Sequence, residues 1–260
     1  MVKDYFKRIC TMGRPWEYVF WWALRIAMIV GIIIRLIESD KLGMYQPMQM
    51  AANLLGMFAL EICQMFPKGT FPRLIPAYVQ NITALCFFIA SFGGAFLNFY
   101  YSIPAYDKVC HMLGCMEAVF IGYELICAMQ LRDKVVVPGK IAALCAFGIA
   151  FVFASGWELF EFVFDQWFGG DCQHWNLELA IQEAGGNRDN IFMLIPLDDA
   201  RFEARFALMD TMGDAILNAI GAVIMYVILR IRPYRHTGKN NINKIIEADL
   251  AKNAKEEATV

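Results

Sequence analysis

Apolar residues in this chain gather in long blocks separated by short polar stretches, without the alternation that marks half-buried strands. Six blocks stand out, at about 18–37, 44–66, 77–100, 105–131, 137–164 and 206–229. Each reaches the ~20 residues that a helix needs to cross ~30 Å of hydrocarbon. Pro67-Lys68-Gly69, Pro104 and Pro138-Gly139 punctuate them where helix ends are expected. The pattern predicts an all-α, polytopic integral membrane bundle of about six transmembrane helices. A basic arm (1–17) precedes the six-helix domain (18–231), and a charged tail (232–260), expected to be mobile or to lie on the surface, follows it. A connection at 165–205 is long for a compact domain, which suggests a lid or binding element. Its apolar stretch 191–197 is expected to fold back onto the membrane face.

Composition agrees. Of 260 residues, 58% are hydrophobic and 18% charged, with mean hydropathy +0.44. A soluble domain carries roughly 45–50% apolar and about 25% charged residues. The net charge of −2 argues against a nucleic-acid partner. The cysteines fall mostly inside the apolar blocks and form no CxxC pair, so they read as space-filling thiols. Cys172, two residues before His174, is a weak metal cue. The first block ends in a polar stretch with no small-residue cleavage site, so it reads as a retained helix and not a signal peptide.

Lysine and arginine set the expected orientation. Lys3, Lys7, Arg8 and Arg14, then Lys68 and Arg73, then Arg132, Lys134 and Lys140, then Arg230, Arg232 and Arg235 fall on one face if there are six passes. The other face holds Lys41, Lys108 and the acidic 165–205 connection. Both termini are therefore expected in the cytoplasm.

Charged groups inside spans cost several kcal/mol unless paired or hydrated. The fourth block opens with Asp107 and His111. The fifth closes with Glu158, Glu161 and Asp165. The sixth opens with Asp210 and Asp214, followed by Asn218. Spacings of three, four or seven place each set on one stripe of its helix. The orientation brings all three stripes to the same depth, in the outer leaflet, as one polar pocket roofed by the long connection. Such carboxylates beside an imidazole cannot all ionise without a counter-charge. Protons are shared, or cations bind. Carboxylates and His on antiparallel helices are how bundles build metal sites. Zinc would accept His with carboxylates; manganese or iron would accept more oxygen. A hydrogen-bonded network that only locks helices together is the structural alternative.

Elsewhere, Arg25, Glu61 and Glu124 suggest a buried Arg–Glu pair. Glu117 is a candidate extension of the pocket. Arg35 is expected to snorkel to lipid headgroups. Trp16, Trp21, Trp22, Tyr100 and Tyr101 suit membrane interfaces. Nucleotide-binding, HExxH and GxSxG motifs are absent from the sequence.

The series Asp107-Lys-Val-Cys-His111, Glu158-x-x-Glu161 and Asp210-x3-Asp214-x3-Asn218-x2-Gly221 resembles the YjdF-like bacterial membrane proteins, a family without assigned activity. It is also similar to the VanZ-like proteins, linked to glycopeptide resistance. The likeness covers about 104–225. Glu161 stands where the VanZ-like pattern has Gln, and Asp210 is an additional acid one turn before the Asp-Asn pair. The resemblance implies a bacterial inner membrane and a cell-envelope role.

These observations lead to an expected metal-dependent membrane hydrolase or transferase acting on a lipid or lipid-linked substrate. His111, Glu158, Glu161 and Asp214 would hold a divalent ion (Zn, Mn or Fe). Asp107 or Asp210 would serve as base or supporting partner, and Asn218 would orient a ligand. Two alternatives stay open: a proton- or cation-coupled transporter using the same carboxylates, and a structural or interaction protein. A transporter built on broken helices is disfavoured by the absence of an evident Gly/Pro-interrupted pair, Gly93-Gly94 being the nearest candidate.

Overall fold

The computed structural model describes residues 2–38, 44–194 and 199–257; side chains at 2–4, 183, 190, 199–204 and 257 are outside the description. Lys41, part of the orientation argument, and 195–197 of the expected fold-back therefore lie outside the described residues. Among the described residues every regular element is helical. In chain order these are α1 (Val2–Ile9), α2 (Pro15–Ile37), α3 (Tyr45–Gly56), α4 (Ala59–Cys63), α5 (Ala77–Phe88), α6 (Phe99–Ser102), α7 (Tyr106–Asp133), α8 (Gly139–Phe168), α9 (Leu177–Glu183), α10 (Asp199–Ile231) and α11 (Ile242–Glu257). The α5 helix continues into a π-helical stretch, Ile89–Phe96.

Five helical segments are long and apolar enough to cross a membrane: Pro15–Ile37, Ala77–Phe96, Tyr106–Asp133, Gly139–Phe168 and Arg205–His236. Large apolar side chains such as Val19, Ile33, Leu144, Val152 and Leu159 point outward from them, as a lipid-facing surface requires. The second pass departs from expectation. The block at 44–66 is not one helix but the pair α3–α4, broken at Met57-Phe58. Side chains have replaced ladder bonds there, a recognised cause of a helix break. The Met57 carbonyl accepts from Arg25 Nε (3.2 Å), Arg25 Nη2 (2.5 Å) and Gln80 Nε2. Leu60 N–H turns to Gln80 Oε1 at 2.9 Å. Arg25 also pairs with Glu61 at 2.6 Å and lies 3.8 Å from the centroid of the Phe58 ring. The expected buried Arg–Glu pair is thus Arg25–Glu61, and it holds the break. The interrupted segment still runs antiparallel along α2, from Gly31 against Met50 to Trp22 against Phe58, and Gln64 beyond it bonds Arg8 of α1.

The π-helical stretch has a similar origin. Tyr106 Oη donates to Ile89 O at 2.8 Å and Arg35 Nη2 to Phe96 O at 2.6 Å. Gly93 and Gly94 leave room for the Tyr106 and Tyr100 side chains. Arg35, expected at the headgroups, instead ties α2 to this widened turn.

The second half is a three-helix unit packed through small residues. Ala118, Ala142, Ala143, Ala146, Ala150 and Ala222 are buried together. At Gly221 an added Cβ would collide with the Met112 carbonyl, and at Gly122 it would press on Ala146 O at 3.1 Å. Small residues let membrane helices approach backbone to backbone. That approach fixes the register of α7, α8 and α10, so the start of α7, the end of α8 and the first half of α10 lie level.

The tail also differs from expectation. Ile242 and Ile246, one turn apart on α11, are buried in the core with Cys127, Ala142 and Leu229. Glu124 accepts from Tyr234 Oη, His236 Nδ1 lies 2.5 Å from Tyr123 Oη, and Asn243 Nδ2 donates to Val137 O at 2.9 Å. The tail closes the end of the bundle opposite the acid-rich one, through apolar residues that its charged composition disguised.

Candidate functional site

Ala105 adopts φ 62°, a left-handed turn that starts α7 at Tyr106, and Gly169 (φ 71°) ends α8 after Phe168. Between these ends the three polar stripes meet. The group that organises them is Lys108. Only 4% of it is exposed, and its Nζ lies 2.6 Å from Asp210 Oδ1, 2.8 Å from Asp214 Oδ1 and 3.1 Å from Asp107 Oδ2. From the sequence Lys108 is expected as an outward-facing loop charge. It is the buried counter-charge of the acids. Its position three residues before His111, on the same helical stripe, was the available signal.

His111 sits beside this ion cluster. Its Nε2 is 3.6 Å from Asp107 Oδ1, 3.6 Å from Asp214 Oδ1 and 4.0 Å from Glu161 Oε1, while Nδ1 is 3.7 Å from Glu158 Oε1. These separations exceed hydrogen-bond length. The three to Nε2 approach the roughly 3.4 Å between ligand atoms set tetrahedrally at ~2.1 Å from one ion. Among the described residues two sets have ligand atoms mutually within 4.8 Å: Asp107–His111–Asp214 and His111–Glu158–Glu161. They differ in charge balance. The first is held by Lys108. In the second, Glu161 Oε1 accepts from Trp157 Nε1 at 2.8 Å, but neither Glu158 oxygen has a hydrogen-bond donor among the described residues.

Other expected residues divide. Asp210 belongs to the Lys108 cluster. Asn218 is buried a turn beyond Asp214 and lines a large cavity with His111. Asp165 is a loop anchor and not part of the pocket: its carboxylate accepts from the Cys172 and Gln173 amides at 2.7 and 2.9 Å. It thereby folds the connection over the site, as does Gln173 bonded to Thr211 at 3.3 Å. Burial drives the Cys172 thiol well above its ordinary range, helped by neighbouring carboxylates. Of the expected fold-back, Ile191 and Met193 pack near Phe206, and Leu194 approaches Gly213 beside Lys108.

Two cavities share the walls of this site. The larger, about 500 Å³, lies between the first and second halves of the bundle and is predominantly apolar, lined by residues including Val79, Phe87, Leu113, Ile121 and Phe153. Glu117 is on its wall, and Asp107, His111, Glu161 and Asn218 form its polar end. The smaller, about 50 Å³, is polar and lies under the 169–175 loop. Tyr100, Asp107 and Glu161 border both.

No curated protein and no solved structure matches this chain. Residues 19–235, which include the site, match the family described as "Predicted membrane protein (DUF2238)", and the chain belongs to that family.

Proposed function

We propose that the protein is a metal-dependent membrane enzyme acting on a lipid or lipid-linked substrate that enters laterally from the bilayer. The observation that carries this reading is the apolar cavity of about 500 Å³ whose polar end is formed by His111, Glu161 and Asp107. Its volume is that of a ligand pocket, and its walls suit an acyl or prenyl chain.

His111, Glu158 and Glu161 are the residues that hold a divalent ion (Zn, Mn or Fe), because Lys108 does not neutralise them. Asp214, expected as a ligand, lies 3.6 Å from His111 Nε2 but is engaged by Lys108 at 2.8 Å. A bound ion lowers the pKa of its water toward ~7 and supplies hydroxide for ester or phosphoester cleavage. Asp107, on the wall of both cavities, is placed to take the water's proton, and Asn218 to orient the substrate. The motif likeness to YjdF-like and VanZ-like proteins adds a bacterial inner membrane, cytoplasmic termini and an outer-leaflet site to the proposal.

Elemental analysis of protein purified without added chelator tests it. The expected result is about one equivalent of metal, lost in His111→Ala and Glu158→Gln and kept in Asp210→Asn. Folded wild-type protein free of metal would overturn it. Cation- or proton-coupled transport is a second reading, favoured by the break at Met57-Phe58 and the widened turn at Ile89–Phe96, since transporters use interrupted helices at their sites. Uptake into liposomes driven by a pH gradient would support it.

A further inference from the structure

The smaller cavity has a chemistry of its own. Asp107, Glu161 and Asp171 supply carboxylates to its wall, Gln46 and Gln49 supply amides, and among the described residues neither lysine nor arginine lines it. Two of its side chains are more than nine-tenths buried yet unsatisfied. Asp171 is 6% exposed and Gln46 9%, and Asp171 Oδ2 and Gln46 Oε1 have no hydrogen-bond donor among the described residues. The two come from opposite sides, one from the loop after α8 and one from the first turn of α3. The other Asp171 oxygen is committed to the Asn176 amide at 2.8 Å. Buried acceptors without donors are costly, so the chamber is built to receive a donor.

The geometry points to a headgroup subsite for a protonated primary amine, joined to the apolar cavity through Tyr100, Asp107 and Glu161. It rests on the proposed function and names the substrate class: an amphiphile with a small ammonium head and an apolar tail. Size and charge select this class. A volume of about 50 Å³ holds roughly three to five small atoms at ~10–15 Å³ each, enough for an aminoethyl group and too little for a sugar ring. With Asp107 paired to Lys108 and Glu161 assigned to the ion, Asp171 is the carboxylate left to attract a cationic head. An ammonium offers three donors and no acceptor, which matches the two orphaned oxygens and the surrounding carboxylates. Water alone would satisfy the acceptors but would not discriminate between lipids.

The test uses full-length protein in detergent, with bound lipid counted by native mass spectrometry. The probes share acyl chains and carry phosphoethanolamine, phosphocholine or phosphoglycerol heads; free ethylammonium serves as a competitor without a tail. The expected result is about tenfold preference for the ethanolamine head over both others, the scale of one charge-assisted hydrogen bond. Asp171→Asn keeps an acceptor for Asn176 and should cut that preference to under about threefold with metal content unchanged. Gln46→Leu should weaken it from the opposite wall, without touching the loop. Equal retention of the three heads, or a preference that survives both substitutions, would overturn the subsite. Competition by ethylammonium alone would assign recognition to the amine independently of any lipid and support it. Metal-free wild-type protein that still prefers the amine head would remove the enzymatic reading and leave the subsite standing; metal-loaded protein without the preference would do the reverse.

Discussion

Replacing Lys108 by Met removes the one cation among the described residues that touches Asp107, Asp210 and Asp214, at 3.1, 2.6 and 2.8 Å, while keeping the length of the side chain. At an effective dielectric of about 20, each such contact contributes roughly 5–6 kcal/mol before desolvation. Desolvation of the ions offsets most of the sum, at several kcal/mol each. Because the acids stay buried after the substitution, the loss follows the rule for an orphaned partner, about 3–5 kcal/mol. For a chain of this size that corresponds to a fall of roughly 6–20 °C in Tm. The assay is thermal unfolding of purified Lys108→Met in detergent, beside Lys108→Met/Asp210→Asn. The double variant should regain at least half of the loss, since it removes one of the acids left without a counter-charge. A single variant as stable as wild type, or a double variant no better than the single, would refute the claim that Lys108 neutralises a buried acid cluster.

Further outcomes follow from packing and charge. Gly221→Ala must push α10 off the Met112 carbonyl and should cost about 1–3 kcal/mol as overpacking; Gly148→Ala, where a Cβ meets open space, should leave Tm unchanged or slightly raised. Tyr234→Phe strips the buried Glu124 of its donor and should cost about 1–3 kcal/mol, seen as faster proteolysis of the tail. Asp171 has its pKa raised to about 6, first by burial and then by Asp165 and Asp210, against lowering by the Asn176 amide and His174. A raised acid favours the fold while protonated, so its contribution is full below about pH 4 and lost as pH rises through about 6. The Tm of Asp171→Asn should therefore equal that of wild type near pH 4 and exceed it above pH 6, measured without lipid; parallel curves across that range would contradict the assignment.

Much was legible from one dimension. Block length located five of the six expected spans, because a bilayer imposes a minimum run of apolar residues and leaves its polar exceptions conspicuous. Helical periodicity put Asp107 with His111, Glu158 with Glu161 and Asp210 with Asp214, and alternation of passes put the three stripes at one end. The structure brings those stripes together. What periodicity could not supply was the partner of each group, since this depends on the rotation and depth of neighbouring helices. Lys108 looked like a loop charge because its burial comes from α10, a hundred residues away. Asp165 looked like a site acid, yet a loop beyond its own helix claims both its oxygens. The break at Met57-Phe58 was invisible because its cause, Arg25 and Gln80 bonding to one carbonyl, sits on two other helices. The amine-sized chamber joins a loop after α8 to the first turn of α3. The sequence by itself determined which helices exist and which faces are polar, through local geometry and hydrophobicity; only the tertiary structure decided which acids meet a cation and which are left open, because electrostatic pairing acts over a few ångströms between segments far apart in the chain.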